Sequence, residues 1–245
     1  MGPEIAIILA GAFAAAFVSG AAGFGDALVA AAIWLQFFAP AETVPLIVAS
    51  FFAMHIVMLA MMHKRLDFAH LWPFVIGGAI GVPIGAQLLK LADPATFKLV
   101  AGAGLIIYGT IMLMLSNLPV IRAGGRILDG VVGWIGGVLG GFAGLSGFIP
   151  AIWCTQRGWS RERARGVTQP YILTMHGMAL AWLAMGGLVT ETTATRFAVA
   201  VPAIALGAWL GVRLYGHFND KRFRQCVLIM LIGAGALLLL NPGGR

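Results

Sequence analysis

An all-α protein of the membrane, polytopic and built as two repeated halves, is what this sequence specifies. Composition points to the membrane. Of 245 residues, 60% are hydrophobic and 10% are charged. An average soluble domain carries roughly 25% charged residues, so this chain has more apolar surface than a water-soluble fold can hide. Repetition points to the halves. Gly20-Ala21-Ala22-Gly23-Phe24-Gly25-Asp26 returns in outline as Gly141-Phe142-Ala143-Gly144-Leu145-Ser146-Gly147, and Met54-His55 returns as Met175-His176, each 121 residues on. Each half therefore has a Gly-rich break inside a long apolar stretch and a histidine in the stretch that follows. Duplicated hydrophobic units with interrupted helices are the pattern of membrane transporters.

Eight apolar stretches follow one another, at about 5–38, 44–62, 71–91, 97–115, 127–155, 168–189, 197–215 and 223–240. Most are near the roughly 20 residues that span a bilayer. The first is too long for that. As one helix it would run about 50 Å, against a hydrocarbon core of about 30 Å, yet two full crossings need roughly 40 residues. The first and fifth stretches each carry their Gly-rich break near the middle, so each is expected to be a broken helix. The later parts of the halves match at an offset of 126: Gly81-Val82-Pro83-Ile84-Gly85 with Gly207-Ala208-Trp209-Leu210-Gly211, Phe97 with Phe223, and Gly109 with Gly235. Five inserted residues reconcile the two offsets. The repeats are thus 1–120 and 121–245, each a broken first helix plus three transmembrane helices, together one integral membrane domain. Gly, at 34 residues, is about twice its usual share of roughly 7%, which suits close helix packing in a bilayer.

Loop charges set the orientation. Arg157, Arg161, Arg163 and Arg165 follow the fifth stretch, and Arg213, Lys221, Arg222 and Arg224 follow the seventh, so both loops are expected in the cytoplasm. In the first half, Lys64 and Arg65 follow the second stretch, and Arg122 and Arg126 precede the fifth. Eight plain crossings would put the basic loops after stretches two and five on opposite sides. If each broken stretch instead enters and leaves on one side as a re-entrant hairpin, most of the conflict disappears. Each repeat then crosses three times, which makes the repeats inverted with both termini outside. Lys90 and Lys98 remain as a basic pair on the outer side of this scheme. A parallel duplication with eight full spans is the alternative.

The N-terminus, Met1-Gly2-Pro3-Glu4, lacks the positive region of a cleaved signal, so the first stretch is expected to stay. Cys154 and Cys226 lack metal-ligand spacing and are expected as buried small hydrophobes. The net charge of +7 sits in short loops rather than on a basic, aromatic-interleaved surface, so nucleic acid is not an expected partner.

The repeated break, and above all Gly144-Leu145-Ser146-Gly147-Phe148-Ile149-Pro150, resembles the TauE/SafE family of sulfite and organosulfonate exporters. The segment Trp153…Arg157-Gly158-Trp159-Ser160-Arg161-Glu162-Arg163-Ala164-Arg165-Gly166…Gln169-Pro170 is similar to one common in bacterial members. The resemblance runs over nearly the whole chain. It implies a multi-pass protein of the cell inner or plasma membrane that exports sulfite or an organosulfonate. In the first break Asp26 stands where members usually have Gly, and no Pro follows.

A break in a membrane helix bares backbone N–H and C=O groups, which only protein or a water-filled cavity can satisfy. The helix that restarts after the break offers free N–H groups and about half a positive charge. Two such ends can hold a small anion, and Gly permits its close approach. Gly23, Gly25, Gly144, Ser146 and Gly147 are the expected lining on this reading; on the other, these glycines serve helix crossing alone. Asp26 either caps the restarted helix or carries a proton, in which case its protonation favours anion binding. His55 and His176, related by the repeat, either bond the anion, accept a coupling proton or pack. Arg157 and Gln169 are candidates along the path, Arg157 by drawing anions to the cytoplasmic mouth. Gln36, Gln156 and Tyr171 belong by default to the interface, as do Trp153 and Trp159.

No GxxxxGK[ST] loop is present, so an ATPase motor is not expected. No ligand set suggests zinc or another cofactor. The expected function is secondary active export of a small anion by alternating access, with proton coupling open. An anion channel, or a transporter of another small anion such as a carboxylate, is the alternative. An intramembrane enzyme built on Ser146 and His176 is weakly supported, and the chain is read as no enzyme. Its partners are the anion, membrane lipid and, left open, protons and a second copy in a homodimer.

Overall fold

A computed structural model describes residues 2–22, 25–61, 66–114, 120, 121, 124–214 and 220–241. Those residues form ten helices: α1 (Gly2–Ala22), α2 (Asp26–Trp34), α3 (Pro40–Met61), α4 (Phe68–Leu91), α5 (Pro94–Met114), α6 (Gly125–Ala143), α7 (Phe148–Gln156), α8 (Arg161–Met185), α9 (Glu191–Leu214) and α10 (Asp220–Leu240). The eight apolar stretches become ten helices because the two long ones split at their Gly-rich breaks. Six helices are long and apolar enough to cross a membrane: α1, α3, α4, α5, α6 and α9.

Local chemistry sets many of the boundaries. Pro opens α3 and α5, where its missing N–H costs no bond. The Asp93 carboxylate accepts from the N–H groups of Ala95 and Thr96 at the start of α5. Asp67 caps α4 and Ser160 caps α8, each accepting from the N–H three residues on. α1/α2 and α6/α7 part where Gly25 (φ 95°) and Gly144 (φ 75°) adopt the left-handed region, which a side chain would strain.

After each break the chain doubles back. The Trp34 indole at the end of α2 donates to the Ile7 carbonyl near the start of α1 (3.3 Å). In the second half the Trp153 indole on α7 donates to Asp129 near the start of α6 (2.6 Å), and the Ile121 N–H donates to the Gln156 carbonyl (2.8 Å).

The largest packing surfaces join one half to the other. α4 lies along α6, and α1 along α9, each pair running in the same direction; α5 lies along α10 in the opposite direction. The register repeats. Gly81 and Gly85 of α4 press on the backbone carbonyls of Trp134 and Val138, while Gly207 and Gly211 of α9 press on those of Phe13 and Phe17. These are the same positions under the two sequence offsets. Small residues at such contacts let helix backbones meet, which is how packing rather than hydrophobicity drives association in lipid.

Three sequence expectations need correction. Tyr171, expected at an interface, is fully buried, and its hydroxyl donates to the Gly133 carbonyl (2.7 Å), tying α8 to α6. Cys154 is buried as expected, but Cys226 is exposed on α10, where lipid can cover it. Lys98 is drawn into the bundle. Its neighbour Lys90 lies against Gly186, the C-cap of α8, where a cation meets the negative end of a helix.

Candidate functional site

The two restarted helices meet. Gly25, Asp26, Ala27 and Leu28 of the first break, with Gly144, Gly147 and Phe148 of the second, line one small, partly open cavity of about 30 Å³. Tyr108 and His176 complete much of its wall. That is room for one or two water molecules. The first turns of α2 and α7 leave N–H groups without intrahelical acceptors, so the cavity sits at two positive helix ends. At α7 the set is trimmed, since Pro150 in the first turn has no N–H.

Asp26 is buried at the start of α2. One oxygen accepts from the N–H of Ala27 (2.9 Å), so the carboxylate bonds its own helix, although Gly25 is the N-cap residue. The other faces the Ser19 hydroxyl (3.5 Å) and His55 Nε2 (3.5 Å). The His55 tautomer follows from its second bond. Its Nδ1 lies 2.7 Å from the Phe51 carbonyl, which can only accept, so Nδ1 carries the hydrogen. Nε2 of the neutral ring is then an acceptor facing a carboxylate.

His176 stands edge-on to His55, ring centres 5.7 Å apart. Its Nε2 donates to the Gly144 carbonyl (3.0 Å). Its buried Nδ1, left as an acceptor, has no hydrogen-bond partner among the described residues. The structure thus brings together Gly25, Asp26, His55, Gly144, Gly147 and His176, drawn from both repeats. Gly23 lies outside the described residues. The Ser146 hydroxyl is buried against Gly140, without a hydrogen-bond partner among the described residues.

Arg157 and Gln169 lie elsewhere. Gln169 is buried on α8, about two turns before His176, and does not line the cavity. Arg157 caps α7 at its far end, between the Trp153 and Trp159 rings (5.8 and 5.7 Å) and 3.9 Å from Asp129. Asp129, almost fully buried, was missed in the sequence. A carboxylate inside a predicted span is as unusual as Asp26, and that signal alone marks it. Ser19 and Tyr108 were also missed. One is a small hydroxyl in an apolar run and the other a lone tyrosine, and neither pattern separates a site from packing.

The family model described as Sulfite exporter TauE/SafE matches residues 7–238. No curated protein and no solved structure matches the chain.

Proposed function

The chain belongs to the sulfite exporter TauE/SafE family, and from that premise we propose that it exports sulfite or an organosulfonate across the cell inner or plasma membrane by alternating access. The observation that carries this reading is the convergence of both helix breaks on one small cavity, with His176 in its wall and His55 against His176 and Asp26. A three-oxygen anion needs several donors at once, and the two helix starts supply backbone N–H groups from opposite sides. Gly25, Gly144 and Gly147 of the cavity wall form the cradle, Gly23 and Ser146 of the same two breaks are assigned to it from the sequence, and Asp26, His55 and His176 set its protonation. Arg157 and Gln169 belong to the route between the cavity and the Arg-rich end.

The cavity is smaller than such an anion, so the two breaks part to admit it. An ionised Asp26 repels an anion, and protonation relieves the repulsion; the anion and the proton therefore raise each other's affinity. An inside-negative membrane favours the exit of an anion by about 2.3 kcal/mol per charge per 100 mV.

The repeats 1–120 and 121–245 are read as inverted, with α1/α2 and α6/α7 as re-entrant hairpins. The return of Trp34 to Ile7 and of Trp153 to Asp129 supports the hairpins. The matched α1/α9 and α6/α4 registers support the symmetry.

Thermal stabilisation of the purified protein tests the substrate. Sulfite and sulfonates are expected to raise the melting temperature, and Asp26→Asn to flatten the pH dependence of that effect. Stabilisation by carboxylates alone would overturn the assignment. Non-saturating anion flux in liposomes would favour the channel reading instead.

A further inference from the structure

The repeat offsets also relate residues far from the cavity. An offset of 121 pairs Phe38 with Trp159 and Glu42 with Arg163, and an offset of 126 pairs His70 with Arg196. The structure joins both sets in the same way. At one end of the bundle, Arg196 on α9 donates to Glu42 on α3 (2.6 Å) and to Glu4 on α1 (2.8 Å). Its guanidinium lies over the Phe38 ring at 4.4 Å. At the opposite end, Arg163 on α8 donates to Asp67 (3.1 Å) and to His70 on α4 (3.0 Å). Its guanidinium lies over the Trp159 ring at 4.9 Å, and His70 meets that ring edge-on at 5.3 Å. Each cluster ties one repeat to the other.

The residue types are not retained. An acid at 42 faces a base at 196, whereas a base at 163 faces an imidazole at 70, with Asp67 supplying the carboxylate. Position has been kept and charge rearranged, so the contact belongs to the architecture rather than to a leftover of duplication. Each cluster also anchors a helix that carries one of the two facing histidines: α3 bears His55 and α8 bears His176.

We propose that the two clusters are latches that close the cavity from its two ends, Arg196–Glu42–Glu4 at one and Arg163–Asp67–His70 at the other. This rests on the alternating-access reading above. Both are engaged here, and the cavity has room for only one or two waters. Their carboxylates and Arg163 are partly exposed: Glu42 is 51% exposed and the Arg163 side chain 43%. Ion pairs of that kind are weak enough to part in every cycle, which a fully buried pair would not allow.

The test uses the full chain carrying Cys154→Ala, Cys226→Ser and Ala151→Cys, the last on the cavity wall. A small, charged, membrane-impermeant thiosulfonate is applied to each side of oriented proteoliposomes. Arg196→Gln is expected to raise the labelling rate at least about fivefold from the Glu4 end only, the factor that a single part-exposed ion pair supports, since Arg196 makes two. Arg163→Gln is expected to do so from the other end only. Faster labelling from both ends, from the wrong end, or from neither overturns the proposal. Should Arg196→Gln fold poorly, a disulfide between Glu42→Cys and Arg196→Cys is expected to abolish labelling from its own end and spare the other; loss at both ends counts against the latch. Labelling requires no substrate. A protein that labels as expected but moves no anion refutes the transport reading and leaves the latches standing.

Discussion

At the scale of single residues, what decides the chemistry is which groups face one another rather than which groups are present. The repeat made His55 and His176 legible as a pair, and the helix break made Asp26 legible as an oddity. The sequence could not show that His55 turns its Nε2 toward Asp26, because that follows from the Phe51 carbonyl claiming Nδ1. Asp67 shows how facing groups set a pKa. Burial pushes its carboxyl up, but hydrogen bonds from His70 and Arg163 outweigh this and hold it below the usual carboxylate range. Its contribution to stability is therefore complete above the unfolded value of about 4 and is lost as pH falls through the lower folded value. Melting curves taken from neutral pH into the acid range should show a shallower acid loss in Asp67→Asn than in the parent. Equal slopes would mean that the carboxylate has no differential interaction in the folded state.

At the scale of elements, the glycines divide into those that bend the chain and those that let helices touch. Gly25 and Gly144 bend it, and both breaks could be placed from composition and length alone. Gly85 and Gly211 are contact residues, and only the structure distinguishes them from Gly104, which has open space around it. A methyl group at Gly85 would meet the Val138 carbonyl, and one at Gly211 the Phe17 carbonyl. Gly85→Ala and Gly211→Ala are each expected to destabilise by about 1–3 kcal/mol through overpacking. Gly104→Ala is expected to be neutral, or stabilising by about 0.5–1 kcal/mol as a helix former replaces Gly. Thermal unfolding in one detergent compares the three directly. Helix pairing itself was not legible, because hydropathy says that a segment crosses and not which neighbour it meets. The clusters at 42/196 and 163/70 were hidden for a related reason: the repeats conserve their places and not their charges.

At the scale of the whole molecule, loop charge favoured inversion, with Lys90 and Lys98 as the discordant pair. Folded, one of those lysines is drawn inside and the other sits on a helix end, so neither marks a free basic loop. In a background without native cysteines, Glu42→Cys and Ser160→Cys should react with an impermeant thiol reagent from opposite sides of the membrane. Reaction of both from the same side would refute inversion. The exchange of helices between halves has a further consequence, for synthesis. α1 is made first, but its partner α9 begins about 170 residues later, on the order of ten to thirty seconds at 5–20 residues per second. Through that interval the glycine-contact face of α1 stands uncovered in the bilayer. The nascent chain must therefore hold its first helix near the insertion site until the ninth arrives, or lose it to other helices in the membrane.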